Sequence, residues 1–132
     1  LDVARRNGAR LGLEVVWHQG EWWSAVGPLH FDLALANPPY VAPGDPHVWA
    51  LRHEPALALT PRDDAGQGLA DIERIALGAP PHLERGAWLL LEHGAEQAQA
   101  VRSCLQRLGF AAAKTRADLA GRARVTGGAY RP

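Results

Sequence analysis

FDLALANPPYVAP, residues 31–43, decides how the rest of the chain is read. The apolar run at 31–36 reads as a strand, and the prolines end it, since each fixes φ and lacks the N–H a ladder needs. The residue before a proline is pushed out of the helical region, so Asn37 and Pro38 are both extended. Their carbonyls turn outward as acceptors that no neighbouring amide easily claims, and Asn37 adds a side-chain oxygen. An Asn37 amide oxygen and a Pro38 carbonyl that converge would grip both hydrogens of an NH2 group, with the Tyr40 ring as a platform for a planar amide or base. Asn-Pro and Pro-Pro pairs also mark ordinary turns, so a plain strand-to-loop turn is an equal reading of NPPY alone.

Working outward, residues 1–11 have the spacing of the end of an amphipathic helix, with Leu1, Ala4 and Leu11 opposite Arg5, Arg6 and Arg10 and a stop at Gly12. LEVVWHQ, 13–19, predicts a short buried strand because Val15, Val16 and Trp17 are consecutive and β-prone. From Val41 to about Gln67 the chain is rich in proline, histidine and acids without periodicity, and long irregular segments of this kind usually carry function. LADIERIAL, 69–77, returns to helical spacing and is limited by Pro80 and Pro81. AWLLLEHG, 87–94, predicts a fully apolar strand ending at Glu92 and His93, and residues 95–109 a helix with Ala98, Val101, Leu105 and Leu108 on one face and Gly109 as its cap. The C-terminal stretch predicts two strands around a turn at 119–122.

Helices alternating with continuously apolar strands predict an α/β fold with a mostly parallel sheet, helices on both faces and a C-terminal antiparallel hairpin. Ligands of such sheets gather at the carboxyl ends of strands, where this reading puts Asn37 and, on another strand, Glu92 and His93. The 132 residues allow one domain at most. They contain no methionine, so residues upstream of Leu1 are expected. Formal charge is zero, which disfavours nucleic acid as the main partner. One cysteine, Cys104, precludes a disulfide framework and reads as a small buried side chain on a helix. No run of membrane-spanning length occurs, and a cytoplasmic protein is expected. His47, His53 and His93 fit no compact ligand set, so no metal is assigned. Asp45, His47, Arg52, His53 and Glu54 instead read as charged groups that pin the loop after NPPY.

A strand ending in NPPY resembles S-adenosylmethionine-dependent methyltransferases acting on exocyclic or amide nitrogens, a group that includes DNA, ribosomal RNA and protein-glutamine methylases. NPPYVAPGDPHVWALRHEPALAL (37–59), WLLLEHG (88–94) and RADLAGRARVT (116–126), in that order, resemble the HemK-type release factor glutamine methyltransferases over essentially the whole chain. The resemblance implies a partial Rossmann-like class I methyltransferase fold with its first strands missing, residues 1–132 being the C-terminal portion of one catalytic domain. It implies S-adenosylmethionine as methyl donor and class 1 peptide chain release factors as partners, the target being the glutamine of their GGQ motif, with no nucleic acid, no membrane and a monomer. Asn37, Pro38, Pro39 and Tyr40 match the glutamine-binding motif, with Asn37 and Pro38 catalytic and Asn37 also near the donor's methyl. HQGEWWSAV, 18–26, resembles the segment whose aromatic side chain lies beside the adenine, and Trp22 takes that position, with Trp23 left to the core. The family's glycine-rich donor loop and N-terminal recognition domain would lie before Leu1, so residues 1–132 alone are expected to be inactive. Two rivals remain: a methylase of base amino groups, and a noncatalytic fragment.

Overall fold

Four strands make a single sheet in the computed structural model, which describes residues 1–42, 53, 55–61 and 66–132. The strands are β1 (Phe31–Ala36), β2 (Leu83–Glu92), β3 (Phe110–Ala117) and β4 (Ala123–Tyr130), in the spatial order β1-β2-β4-β3. β1 pairs with β2 in parallel, and β4 pairs antiparallel with both β2 and β3. The sheet is therefore mixed, a correction to the mostly parallel sheet expected. Three strands run one way, but the last strand slips between two of them, and apolar patterning along a strand carries no information about spatial order.

The composition of β4 suits that central place. A Cβ on Gly128 would stand 2.9 Å from Cβ of Phe110, and one on Gly127 2.9 Å from the Leu89 carbonyl and against the Leu90 side chain. Side chains there would wedge the ladders apart.

The helices are α1 (Asp2–Arg10), α2 (Ala56–Leu59), α3 (Ala70–Gly78) and α4 (Ala98–Arg107). Ile72, Ile75 and Ala76 of α3 and Val101, Cys104 and Leu105 of α4 are buried with Leu89 and Leu91 of β2. Each fully buried aliphatic side chain in that layer contributes about 1.5–3 kcal/mol of transfer free energy. Ala34 and Ala36 of β1 pair with Leu89 and Leu91 on the same face. The opposite face is open, with Leu33 51%, Leu35 70% and Trp88 36% exposed. The expectation of helices on both faces is thus not met among the described residues.

The helix at the start of the chain is present, but Leu1, Val3 and Leu11 are exposed, and Gly8, lying under Trp17, is its buried residue. Residues 13–19 form no strand, a second correction. Val15 and Val16 are exposed, and no described strand runs beside them; β-propensity without a ladder partner does not make a strand. Asp118 closes the C-terminal hairpin by accepting the backbone N–H groups of Ala120 and Arg122.

Candidate functional site

β1 ends where the sequence places it, and the two prolines carry the chain away from the sheet without amide donors of their own. Asn37 is exposed at the strand tip, Pro38 is fully buried, and Pro39 and Tyr40 are half-buried. Among the described residues the Asn37 side chain has no hydrogen-bond partner.

Other segments therefore hold the turn. The Tyr40 hydroxyl donates to Glu92 Oε1 at 3.1 Å, which ties it to the end of β2. Burial, and then the adjacent Glu92 carboxylate, push the Tyr40 phenol above its ordinary pKa, so it stays a donor. Gln97 Nε2 donates to the Tyr40 carbonyl at 2.9 Å and to the Gln67 carbonyl at 2.6 Å, while its Oε1 accepts the Gly94 N–H at 2.7 Å. The Val41 N–H reaches the Leu59 carbonyl at 2.9 Å.

Asn37 lines a cavity of about 360 Å³ against Trp22, Trp23 and β1, and two more that bear on the site. One, of about 380 Å³, is lined by Gly20, Glu21, Trp22 and Pro39 together with Asn37. The other, of about 1070 Å³, is lined by Asn37, Pro38, Tyr40, Gln97, Arg122 and Arg124 among others. The structure thus gathers Asn37, Pro38 and Tyr40 around the larger of these two and joins Asn37 to Trp22 around the smaller. Pro39 lines the Trp22 side.

The two adjacent tryptophans differ in their partners. Trp23 Nε1 donates to the Ile75 carbonyl at 2.8 Å, and its ring stacks on His82 at 4.9 Å between centroids, as expected of a packing residue. Trp22 sits at φ +47°, a region non-glycine residues avoid, and among the described residues its buried Nε1 has no hydrogen-bond partner. Backbone strain and an orphaned donor in one residue beside an open cavity are the kind of local cost that accompanies binding sites. Arg74 bridges Asp71 at 3.2 Å and Glu21 at 3.6 Å, closing the charges on that side.

His93 is not at the cleft. It is fully buried, and burial lowers its pKa. Its Nδ1 lies 2.8 Å from the Gly94 carbonyl, which can only accept, so Nδ1 carries the proton. Nε2 then accepts from Thr126, Thr126 from Thr115, and Thr115 from Arg102, each at 2.8 Å. Cys104 is a buried helix residue, as read from the sequence. Among the described residues no three His, Cys, Asp or Glu side chains gather as a metal site, and no helix is long and apolar enough to cross a membrane. His53 is exposed in a turn, whereas Asp45, His47, Arg52 and Glu54 lie outside the described residues.

Sequence reading missed Gln97, and for Glu92 it left an anchor of the NPPY loop and an ordinary strand-end acid equally open, of which the bond to Tyr40 matches the first. A signal existed for Gln97: an amide-bearing residue three positions after Gly94 at a helix start has capping-box spacing.

The fold and the site define an α/β protein whose chemistry is concentrated where β1 and β2 end. No family model matches the chain. Three curated relatives, each named "Release factor glutamine methyltransferase", come from Xylella fastidiosa strain Temecula1, Neisseria gonorrhoeae and Pseudomonas aeruginosa, at 46%, 43% and 43% identity over 131, 134 and 131 residues. The matches cover 97%, 98% and 97% of this chain and 46%, 48% and 46% of the relatives. Over nearly its whole length, then, this chain is related in sequence to the HemK-type release factor glutamine methyltransferases, and it spans about half the length of the curated relatives it matches.

Proposed function

We propose that this chain is the C-terminal portion of the catalytic domain of a protein-(glutamine-N5) methyltransferase, which transfers a methyl group from S-adenosylmethionine to the GGQ glutamine of class 1 release factors. The observation that carries the reading is Asn37 standing as the shared wall of two cavities, one with Trp22 and one with Pro38 and Tyr40. Such a wall suits a reaction in which a group crosses between two bound molecules.

On the larger side, the Asn37 amide oxygen and the Pro38 carbonyl accept the two hydrogens of the glutamine NH2, and Tyr40 supplies a flat apolar wall. Holding both hydrogens fixes the nitrogen's orientation and aims its lone pair across Asn37. Two oxygen acceptors also favour the positive charge that builds on nitrogen, a preference expressed in the transition state. Positioning carries most of the acceleration. On the smaller side, Trp22 lines the cavity with a flat aromatic side chain that suits the face of an adenine, so the residues present fit the donor. When bound, S-adenosylmethionine supplies an electrophilic methyl on a sulfonium. The reading also implies a Rossmann-like complete sheet, a monomer and a cytoplasmic location, and a residue 1–132 polypeptide that binds the donor weakly and turns over none of it.

The test supplies labelled donor to the polypeptide extended to its relatives' length, with a class 1 release factor, its GGQ glutamine→alanine variant, duplex DNA or ribosomal RNA. Label on the intact factor alone is expected. Label on a nucleic acid, or on both forms of the factor, overturns the assignment, and no label on any of them favours a noncatalytic fragment.

A further inference from the structure

We propose that Gln97 is a positioning residue: its side-chain amide clamps the NPPY turn by engaging both of its N–H donors and its oxygen with three separate segments. This rests on the reading of Asn37 and Pro38 as the amide-gripping pair.

The need for such a clamp follows from the turn's chemistry. Pro38 and Pro39 have no N–H, so two successive residues cannot anchor the turn through their own donors. What they present is carbonyls, and a carbonyl is held in place only by a donor brought from elsewhere. Gln97 brings two. One Nε2 hydrogen goes to the Tyr40 carbonyl at 2.9 Å and the other to the Gln67 carbonyl at 2.6 Å. Its Oε1 faces the Gly94 N–H at 2.7 Å, which fixes the direction of the amide and leaves the NH2 end for the two carbonyls. A single planar group thus joins the NPPY turn, the turn at residues 66–68 and the start of the helical segment after β2. Gly94 is itself fixed from its other side, since its carbonyl accepts from the buried His93. The clamp is therefore grounded in the core and not on a mobile surface.

Gln97 does not touch the nitrogen being methylated. It acts through Tyr40, whose backbone follows Pro39, and a shift of the Tyr40 carbonyl is carried back through the rigid Pro39 ring to the Pro38 acceptor. Glu is the informative replacement, because a carboxylate keeps the bond to Gly94 N–H and sets a negative oxygen against two carbonyls. Its pKa would be raised by those neighbours, and on protonation it regains one donor. Leu has similar size and neither capacity.

In the polypeptide of relatives' length, Gln97→Glu is expected to lower kcat about tenfold to a hundredfold at pH 8, the size of a displacement of up to ~1 Å at a reacting centre. The donor KM should stay within twofold, and kcat should recover severalfold relative to wild type as pH falls toward 6. Gln97→Leu should show the loss without the recovery. Hydrogen exchange gives a reading that needs no turnover: in the donor-free protein, both variants should speed exchange of the Val41 amide, which is bonded to the Leu59 carbonyl, at least tenfold while leaving the β2 and β4 amides unchanged. Unchanged exchange at Val41 overturns the clamp, whatever the activity. Faster exchange in a protein whose wild type methylates nothing sustains the clamp and sinks the methyl-transfer reading instead. Equal losses with the wild-type pH profile in both variants, or a rise in donor KM with kcat intact, also overturn the positioning role.

Discussion

Gly68→Ala should cripple methyl transfer while leaving the fold largely intact, and the reason lies in one close approach. Gly68 has φ +67°, and a Cβ built on it would stand 2.8 Å from the Tyr40 carbonyl carbon and 2.7 Å from Gln97 Nε2, nearer still to the Tyr40 oxygen. Ordinary contact begins at 3.4 Å, so the Tyr40 carbonyl carbon has to retreat by about 0.6 Å and its oxygen by more than that. The left-handed backbone alone costs an alanine about 1–2 kcal/mol. A displacement approaching ~1 Å beside a reacting centre costs up to a hundredfold in rate. Gly66 separates the two effects, because at φ +96° a Cβ there meets nothing within 4 Å. Gly66→Ala should therefore lower the melting temperature by the backbone strain alone, less than Gly68→Ala does, and leave kcat within about threefold, whereas Gly68→Ala should lose roughly tenfold to a hundredfold in kcat at unchanged donor KM. The assay is steady-state methylation of a release factor by the extended polypeptide, with thermal unfolding of each variant alongside. Equal kcat losses in the two variants, or a full-speed Gly68→Ala enzyme, would refute the argument that the Tyr40 carbonyl must stay where it is.

Asn37→Ala should reduce kcat about a hundred- to thousandfold, the usual effect of deleting one oriented polar group at a reacting centre, with donor affinity measured by calorimetry nearly unchanged. Trp22→Ala should reverse that pattern, weakening donor binding more than the chemical step; unchanged affinity would remove Trp22 from the donor site. His93 is buried neutral with its pKa below the unfolded value of about 6.5, so its contribution to stability is present above pH 6.5 and is lost as pH falls below it, by at most about 1.4 kcal/mol per pH unit. The charged groups around it are Arg102 on α4, Arg124 on β4 and Glu92 on its own strand. Unfolding curves between pH 7.5 and 5 should show that acid slope, reduced in His93→Gln. Thr126→Val removes the donor to His93 Nε2 and should cost about 1–3 kcal/mol in denaturant titrations.

Local pattern carried the elements that depend on local pattern. The strand at 31–36, the helices read at 69–77 and 95–109 and the hairpin with its turn at 119–122 follow from apolar spacing and turn chemistry, and the structure has them, the second helix starting as a 3-10 turn at Ala95–Gln97. What failed depended on partners. Residues 13–19 have the composition of a strand without a ladder to join, and the insertion of β4 between β2 and β3 is invisible until Gly127 and Gly128 are seen against Leu90 and Phe110. The site divides in the same way. Asn37, Pro38 and Tyr40 announce themselves because two prolines in a row are chemically unusual, and Trp22 came only through family likeness. The Tyr40–Glu92 bond and the ties of Gln97 to Tyr40 span 52 and 57 residues, beyond the reach of any short motif. His93 reads in the sequence as ending a strand without a metal or base role, and its bond to the Thr126 hydroxyl, 33 residues away, carried no sequence signal.

The uncovered side of the sheet has a practical consequence. Leu33, Leu35 and Trp88 lie on adjacent strands and offer water a continuous greasy strip. Patches of that kind lower the concentration at which copies of a polypeptide stick to one another. Purified residues 1–132 should brighten an environment-sensitive dye such as anilinonaphthalene sulfonate, and Leu33→Lys with Leu35→Glu should dim that signal and raise the solubility limit without disturbing the α3–α4 layer on the far side.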